Sequence, residues 1–249
     1  MCHNSRQVAG AKTMGVLFEE LDYRETAIGG LSLRRRRELK LGVDVFEIKL
    51  GEEFLMSSLF TASEIALARL GLAGLTGDAL DVVIGGLGLG YTAQAVLEHK
   101  NVGSLLVVDY LQAVIDWHRQ GLVPLGAALN GDPRCRFSQG DFFALAASEQ
   151  GFDRGKRFNA ILVDIDHSPD ALLNEGNAAF YSEAGLRRLS AHLKDGGVFG
   201  LWSNEVPDAA FTKRMGGIFA DARAEDVTFH NPLQDKSFTQ TVYLGNKRA

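Results

Sequence analysis

The spacing of hydrophobic residues changes character along the chain. From Tyr23 to Leu50 apolar and polar residues run as strand pieces: YRETAIGGLSLRRRR, a turn near Leu41-Gly42, then VDVFEIKL, with Val43, Val45 and Glu47 alternating with Phe46, Ile48 and Leu50. A small β-hairpin unit is predicted there. In SSLFTASEIALARLGLAG the apolar residues Ala62, Ala66 and Leu70 recur at i, i+4 and i+8, flanked by Ile65 and Leu67, which predicts a helix capped by Thr61 or Ser63. From Ala79 onward strands and helices alternate. ALDVVIGG, SLLVVDY, CRFSQGD, FNAILVDID and GGVFGLWS read as strands, and YTAQAVLEHK, LQAVIDWHRQG and AAFYSEAGLRRLSAHLK as helices. Repeated βα winding implies a mostly parallel sheet covered on both faces.

The last two strand-like runs, DVTFHNP and FTQTVYLG, are separated by too few residues for a crossover helix, so they pair antiparallel. The predicted fold class is therefore α/β: a Rossmann-like sheet of class I methyltransferase type, ending in an antiparallel hairpin and preceded by a small N-terminal β-hairpin unit. The expected division is a flexible tail over 1–13, a β-unit with its connecting helix over 14–76, and a cofactor-binding catalytic unit over 77–249. Composition changes the picture little: 46% hydrophobic and 23% charged residues are ordinary for a globular chain of 249 residues, which excludes disorder as the main state. Two cysteines far apart, Cys2 and Cys135, exclude a disulfide framework and a cysteine zinc site. A net charge of -5 removes the global pull toward phosphate backbones, so no nucleic-acid partner is expected. The start lacks an apolar signal stretch and no run reaches the roughly 18 to 20 apolar residues of a membrane span, so a cytoplasmic location away from membranes is expected.

The sharpest motif is Gly85-Gly86-Leu87-Gly88-Leu89-Gly90, between a strand and a helix. Gly86, Gly88 and Gly90 allow a tight turn and close approach to a ligand. Asp109 closes the next strand about twenty residues on, where a carboxylate accepts both ribose hydroxyls, with Tyr110 beside it. Asp141, after Gly140, offers an oxygen to an adenine amine or caps the following helix, and Phe142 is placed to pack on the ring. Tyr91 stands where the dinucleotide fingerprint needs its last glycine, which weighs against a nicotinamide cofactor. Asp164 and Asp166 end the strand AILVDID, followed by His167. Ligands of open α/β sheets bind beyond the carboxyl ends of the strands, so Asp164 is the leading catalytic candidate, an acid able to orient or deprotonate an amine. Because neighbours on a strand alternate faces, no metal site is expected from Asp164, Asp166 and His167. Trp202, ending VFGLW, is a candidate wall of an acceptor pocket. His118 and His192 are expected on helix surfaces. Of the run Arg34, Arg35, Arg36 and Arg37, two are expected to pair with acids and two to face solvent.

In order and spacing, DVVIGGLGLGYTAQAVLEH, LLVVDYLQAVIDW, QGD, FNAILVDID and DGGVFGLWS resemble the core of the spermidine synthase family over residues 43–246. The resemblance implies that the glycine loop and Asp109 hold the nucleoside and ribose, that Asp141 meets the adenine, and that Asp164 lies beside the reacting amine. It also brings Glu64 near the acid that follows the family's tyrosine-histidine pair and leaves Asp166 one position from the acidic motif after the strand, so Glu64 and Asp166 join Asp164 as catalytic candidates, and His167 joins Trp202 as a substrate-binding candidate. This chain departs from the family pattern: the loop holds no acid, Ala62-Ser63 replaces the pair, and the family's second aspartate falls on His167. Aminopropyl transferases carry a loop acid that suits the aminopropyl amine of decarboxylated S-adenosylmethionine. Without it, intact S-adenosylmethionine, its carboxylate on backbone N–H groups, is the expected ligand. The expected activity is transfer from S-adenosylmethionine to a small amine or related nucleophile, by methylation. The alternatives are a polyamine synthase using the decarboxylated cofactor and a non-catalytic nucleoside-binding or scaffolding homologue. Uncovered edges of the N-terminal hairpin point to a homodimer.

Overall fold

The structure is a computed structural model that describes residues 17–248. The expected tail over 1–13, with Cys2, lies outside the described residues. The N-terminal unit is a four-stranded antiparallel meander of β1 (Phe18–Thr26), β2 (Gly29–Glu38), β3 (Val43–Leu50) and β4 (Glu53–Ser57). It has more strands than the predicted hairpin. Gly29, at φ 125°, reverses the chain inside a stretch read as continuous, and Gly51, at φ 56°, turns it again into β4, whose residues EFLMS do not alternate. All four arginines of β2 pair: Arg34 with Glu20, Arg35 with Glu19, Arg36 with Glu38 and Glu47, Arg37 with Asp44. Two were expected to face solvent, but neighbouring strands on both sides present acids in register.

Helix α1 (Ala62–Leu72) leads into a seven-stranded sheet of order β10-β11-β9-β8-β5-β6-β7. Its strands are β5 (Leu80–Gly85), β6 (Val102–Asp109), β7 (Cys135–Gln139), β8 (Phe158–Val163), β9 (Leu193–Ser203), β10 (Phe219–Asn231) and β11 (Lys236–Lys247). The pairs β5–β6, β5–β8, β6–β7 and β8–β9 are parallel, while β11 lies antiparallel to both β9 and β10. The α/β fold with a closing hairpin is as the sequence implies. Alternate residues of the buried strands feed two cores: Val82, Ile84, Val107 and Leu162 face one side, Val83, Val108, Ile161 and Val163 the other. Helices α1, α2 (Tyr91–Leu97), α3 (Gln112–Arg119) and α4 (Gly126–Gly131) contribute to the first core, and α5 (Phe142–Ala147), α6 (Glu183–Ser190) and α7 (Ala209–Gly216) to the second.

Some local readings change. The long helical stretch beginning AAFYSE splits into a 3-10 turn, Glu175–Ala179, and α6, because Ser182 caps a new helix by accepting from Gly185 N. Thr61 precedes α1 without a side-chain cap, and Ser63 is engaged in the site instead. His118 is fully buried and His192 is 6% exposed, against the surface positions expected for them, because each imidazole finds a backbone carbonyl inside the fold.

The order of strands changes direction at β5, with β6 on one side and β8 on the other, so the carboxyl ends of β5 and β8 flank the crevice where such sheets bind ligands. Strand β11 meets β9 only over residues 241–246, leaving residues 236–240 and their β10 partners as a projecting arm. Lys40 Nζ donates to Pro232 O at 2.7 Å and Phe60 packs on Phe229 at 5.8 Å, holding this arm to the N-terminal unit. Helix α1 sits close to the sheet through Gly71, where an added Cβ would fall 2.7 Å from Leu162. Gly71→Val is expected to destabilise the fold by about 1–3 kcal/mol through overpacking, seen as a lower urea midpoint with unchanged slope.

Candidate active site

The glycine loop turns because Gly86, Gly88 and Gly90 take φ of 92°, 46° and 92°, in the region that disfavours side chains. A Cβ on Gly86 would strike the carbonyl of Asp164, and Asp164 N donates to Gly85 O at 2.8 Å. The loop therefore lies directly against the backbone that carries the acid. Its amides are all engaged within the protein. Gly86 N donates to Val108 O at 2.9 Å, Gly90 N to Leu87 O at 2.8 Å, and Leu87 N to Asp109 Oδ2 at 2.8 Å. Gly88 N also reaches the Asp109 carboxylate, and Leu89 N donates to the Met56 sulfur at 2.9 Å. Burial raises the Asp109 carboxyl above its ordinary pKa, against the opposing pull of N–H donors from Leu87, Leu111 and Gly88. Behind the loop, buried His118 holds Gly88 O through Nε2 at 2.9 Å; burial lowers its pKa, and the neutral ring donates that proton.

Two acids meet at this edge. Burial, then the charge of Asp164, raises the pKa of Glu64 to about 7. Burial likewise raises Asp164 to about 6, opposed by the Thr92 hydroxyl, which donates to Asp164 Oδ2 at 2.7 Å. Hydrogen-bond geometry supports a proton on Glu64. Ser63 Oγ lies 2.8 Å from Glu64 Oε2 and 2.6 Å from Gln240 Oε1, with one proton to give, while accepting from Trp202 Nε1 at 2.9 Å. A protonated Glu64 donates to Ser63, and Ser63 then donates to Gln240. Gln240 Nε2 continues to Asn204 Oδ1 at 2.7 Å.

The other candidates separate. Asp166 was expected to be catalytic, yet it is 1% exposed and saturated: it accepts from Leu173 N, Asn177 Nδ2 and the Tyr181 hydroxyl. It organises the segment after β8 rather than facing a ligand. Phe142 was expected to lie against a ring, but it is 2% exposed, stacks on Phe152 with centroids 4.7 Å apart, and fills the space beside Gly85. Asp141 is exposed at the rim and caps α5 through Oδ1, accepting from Ala144 N at 3.0 Å. Tyr110 is 48% exposed beside Asp109 and borders a cavity of about 320 Å³, shared with Gln139 and with Arg24 and Thr26 of the N-terminal unit. His167 turns to Glu53 of β4, Nε2 to Oε1 3.0 Å, and Trp202 points its N–H at Ser63. Asp164, Asp166 and His167 thus diverge toward Thr92, Tyr181 and Glu53.

Sequence reasoning missed Met56, Thr92, His118 and Gln240. The signal was there for Thr92, which follows the glycine loop by two residues, but not for Met56 or Gln240, which arrive from other elements.

Both acids carry folded-state pKa values above their ordinary ones, so the folded chain holds more protons than the unfolded chain at mildly acidic pH. Stability falls as pH rises through that window. Glu64→Gln is expected to remove about 1–3 kcal/mol of the loss that the wild type shows between about pH 5 and about pH 8 in urea unfolding; an unchanged loss would contradict the buried, protonated Glu64.

Comparison with known proteins bears on the fold and the family. The spermidine synthase of Thermotoga maritima is similar over 92% of this chain and 72% of its own, at 18% identity and a TM-score of 0.68. A spermidine synthase solved in complex with the transition-state analogue AdoDATO is similar over 92% of this chain and 73% of its own, at 19% identity and a TM-score of 0.70. These two likenesses concern the fold. The family model described as the spermine/spermidine synthase domain matches residues 67–209, a stretch running from α1 through the glycine loop and Asp164 to the start of α7. With more than half of its length inside that match, the chain belongs to the spermine/spermidine synthase family.

Proposed function

We propose that this protein transfers an aminopropyl group from decarboxylated S-adenosylmethionine to a small amine. The observation that carries the reading is the pair of acids Glu64 and Asp164, each held above its ordinary pKa by burial, set against a glycine loop whose amides are already engaged. Such a site attracts a cation and offers a carboxylate no backbone partner. Membership of the family favours aminopropyl transfer over the methyl transfer expected from the sequence. The argument for intact S-adenosylmethionine assumed free loop N–H groups. Those groups are bound to Val108, Asp109, Met56 and Leu87 instead.

When bound, the decarboxylated nucleoside supplies a sulfonium-activated aminopropyl carbon and departs as methylthioadenosine. Asp109 is assigned the ribose hydroxyls, its Oδ1 and Oδ2 already fixed by Leu111 N and Leu87 N at 2.8 Å. Asp141, with one oxygen occupied by its cap, keeps the other for the adenine amine, and Tyr110 presents an exposed ring to the base. Asp164 is assigned the reacting amine: it accepts an N–H, aims the nitrogen, and takes up the proton released as the new C–N bond forms. Glu64 is the second acid, whose ionised form pairs with a bound cation once its proton is released to solvent. Trp202 and Gln240, both hydrogen-bonded to Ser63, are assigned to the acceptor side, with His167 at its margin. Cation binding favours the ionised acids, so affinity for cationic ligands should rise with pH through the range set by pKa values of about 7 and about 6.

The test is chromatographic measurement of methylthioadenosine after incubation with decarboxylated S-adenosylmethionine and a panel of mono- and diamines. Amine-dependent product is expected, with a rate that climbs as Asp164 loses its proton near pH 6. Asp164→Asn is expected to lower kcat by about 10²–10⁴ while methylthioadenosine still binds. Formation of S-adenosylhomocysteine from intact S-adenosylmethionine, with no methylthioadenosine from any amine, would overturn the reading.

A further inference from the structure

We infer that Met56 is the residue that sets the tail selectivity of the nucleoside site. The inference rests on the proposed use of decarboxylated S-adenosylmethionine and adds to it a determinant outside the nucleotide-binding sheet. Four loop amides find partners in the loop or in β6: Val108 O, the Asp109 carboxylate and Leu87 O. The fifth, Leu89 N, does not. Its partner is the Met56 sulfur, carried by β4 of the N-terminal unit. Met56 is also seated directly over Gly88, where any Cβ would collide with its sulfur.

The thioether therefore does two things. It removes the one amide that the sheet leaves for an incoming oxygen, and it covers the face of the loop at Gly88. A thioether is a weak, uncharged acceptor, so a carboxylate would be the stronger partner for Leu89 N if it had room. Room is lacking because Met56 is anchored: its side chain packs against the apolar cluster that contains Leu67 and Leu89. A tail without a carboxylate needs neither the amide nor the space. The absent loop acid then has a counterpart, since selectivity against the carboxylate comes from a capped amide together with the Glu64 and Asp164 pair.

The experiment is calorimetric titration of the full chain with decarboxylated S-adenosylmethionine, intact S-adenosylmethionine and methylthioadenosine. Wild type is expected to bind the decarboxylated form at least about tenfold more tightly than the intact form. Met56→Ala and Met56→Val each shorten the side chain and uncover Leu89 N. Whichever folds is expected to narrow that ratio by about fivefold or more, through tighter binding of the intact form. Binding of methylthioadenosine, which has no charged tail, should stay within about twofold. Met56→Gln, with similar length and a carbonyl acceptor for Leu89 N, should keep the wild-type ratio. A wild-type preference that survives the shortened variants would overturn the role of Met56 and leave the proposed function standing. So would an equal loss of all three probes, which marks a merely structural residue. Failure of wild type to bind either sulfonium form, or its preference for the intact form, would instead sink the proposed function itself.

Discussion

The contact on which the rest of the site depends is the approach of Gly86 to the backbone of Asp164. Parallel pairing of β5 with β8 brings the two strand ends side by side, and Asp164 N donates to Gly85 O. The chain then leaves β5 through a residue with no Cβ, at a φ of 92°, because the Asp164 carbonyl occupies the place where a side chain would go. A larger residue would push the loop off the strand end and away from the acid. One backbone clearance thus joins the glycine loop to the segment that carries the Asp164 carboxyl.

Around that contact, the number of hydrogen-bond partners separates acids of the same type. Asp166 lies two residues from Asp164 but accepts from a backbone amide, an amide side chain and a phenol, so its charge is spent on ordering the segment after β8. Asp164 accepts from Thr92 alone among its side-chain contacts, and Glu64 shares a single hydroxyl with Gln240. Buried carboxyls with so few donors hold protons that solvated ones would lose. In the proposed function an ammonium supplies the compensation that the protein withholds from this pair.

The N-terminal sheet takes part in the site through particular side chains. Met56 caps the glycine loop and Glu53 meets His167. Trp117 Nε1 donates to Asp22 at 2.6 Å, tying β1 to α3, and Lys40 reaches the arm of the closing hairpin. The arm returns Gln240 to Ser63 at 2.6 Å. Glu64 is therefore bordered by its own helix, by β9 through Trp202, and by β11 through Gln240.

By itself the sequence determined what depends on local periodicity and on residue type. The alternation of buried strands with helices, the two strand runs too close for a crossover, and three glycines after a strand carry the α/β fold and the edge where the candidate site lies, because each reports a backbone preference within a few residues. The positions of Asp109 and Asp164 at the carboxyl ends of β6 and β8 were legible for the same reason, because each closes or follows a strand whose direction was known. Tertiary structure decided the rest. Asp166 and Phe142 look as exposed in sequence as Asp164 and Tyr110, and only packing buries the first under Tyr181 and the second under Gly85. Whether the loop amides were free could not be read from glycine and leucine, because one partner comes from β4, over thirty residues earlier, and the others from β6 and the loop itself. The raised pKa of Glu64 arises from desolvation and the charge of Asp164, and that of Asp164 from desolvation against the Thr92 hydrogen bond, across-fold quantities that no spacing along a chain encodes.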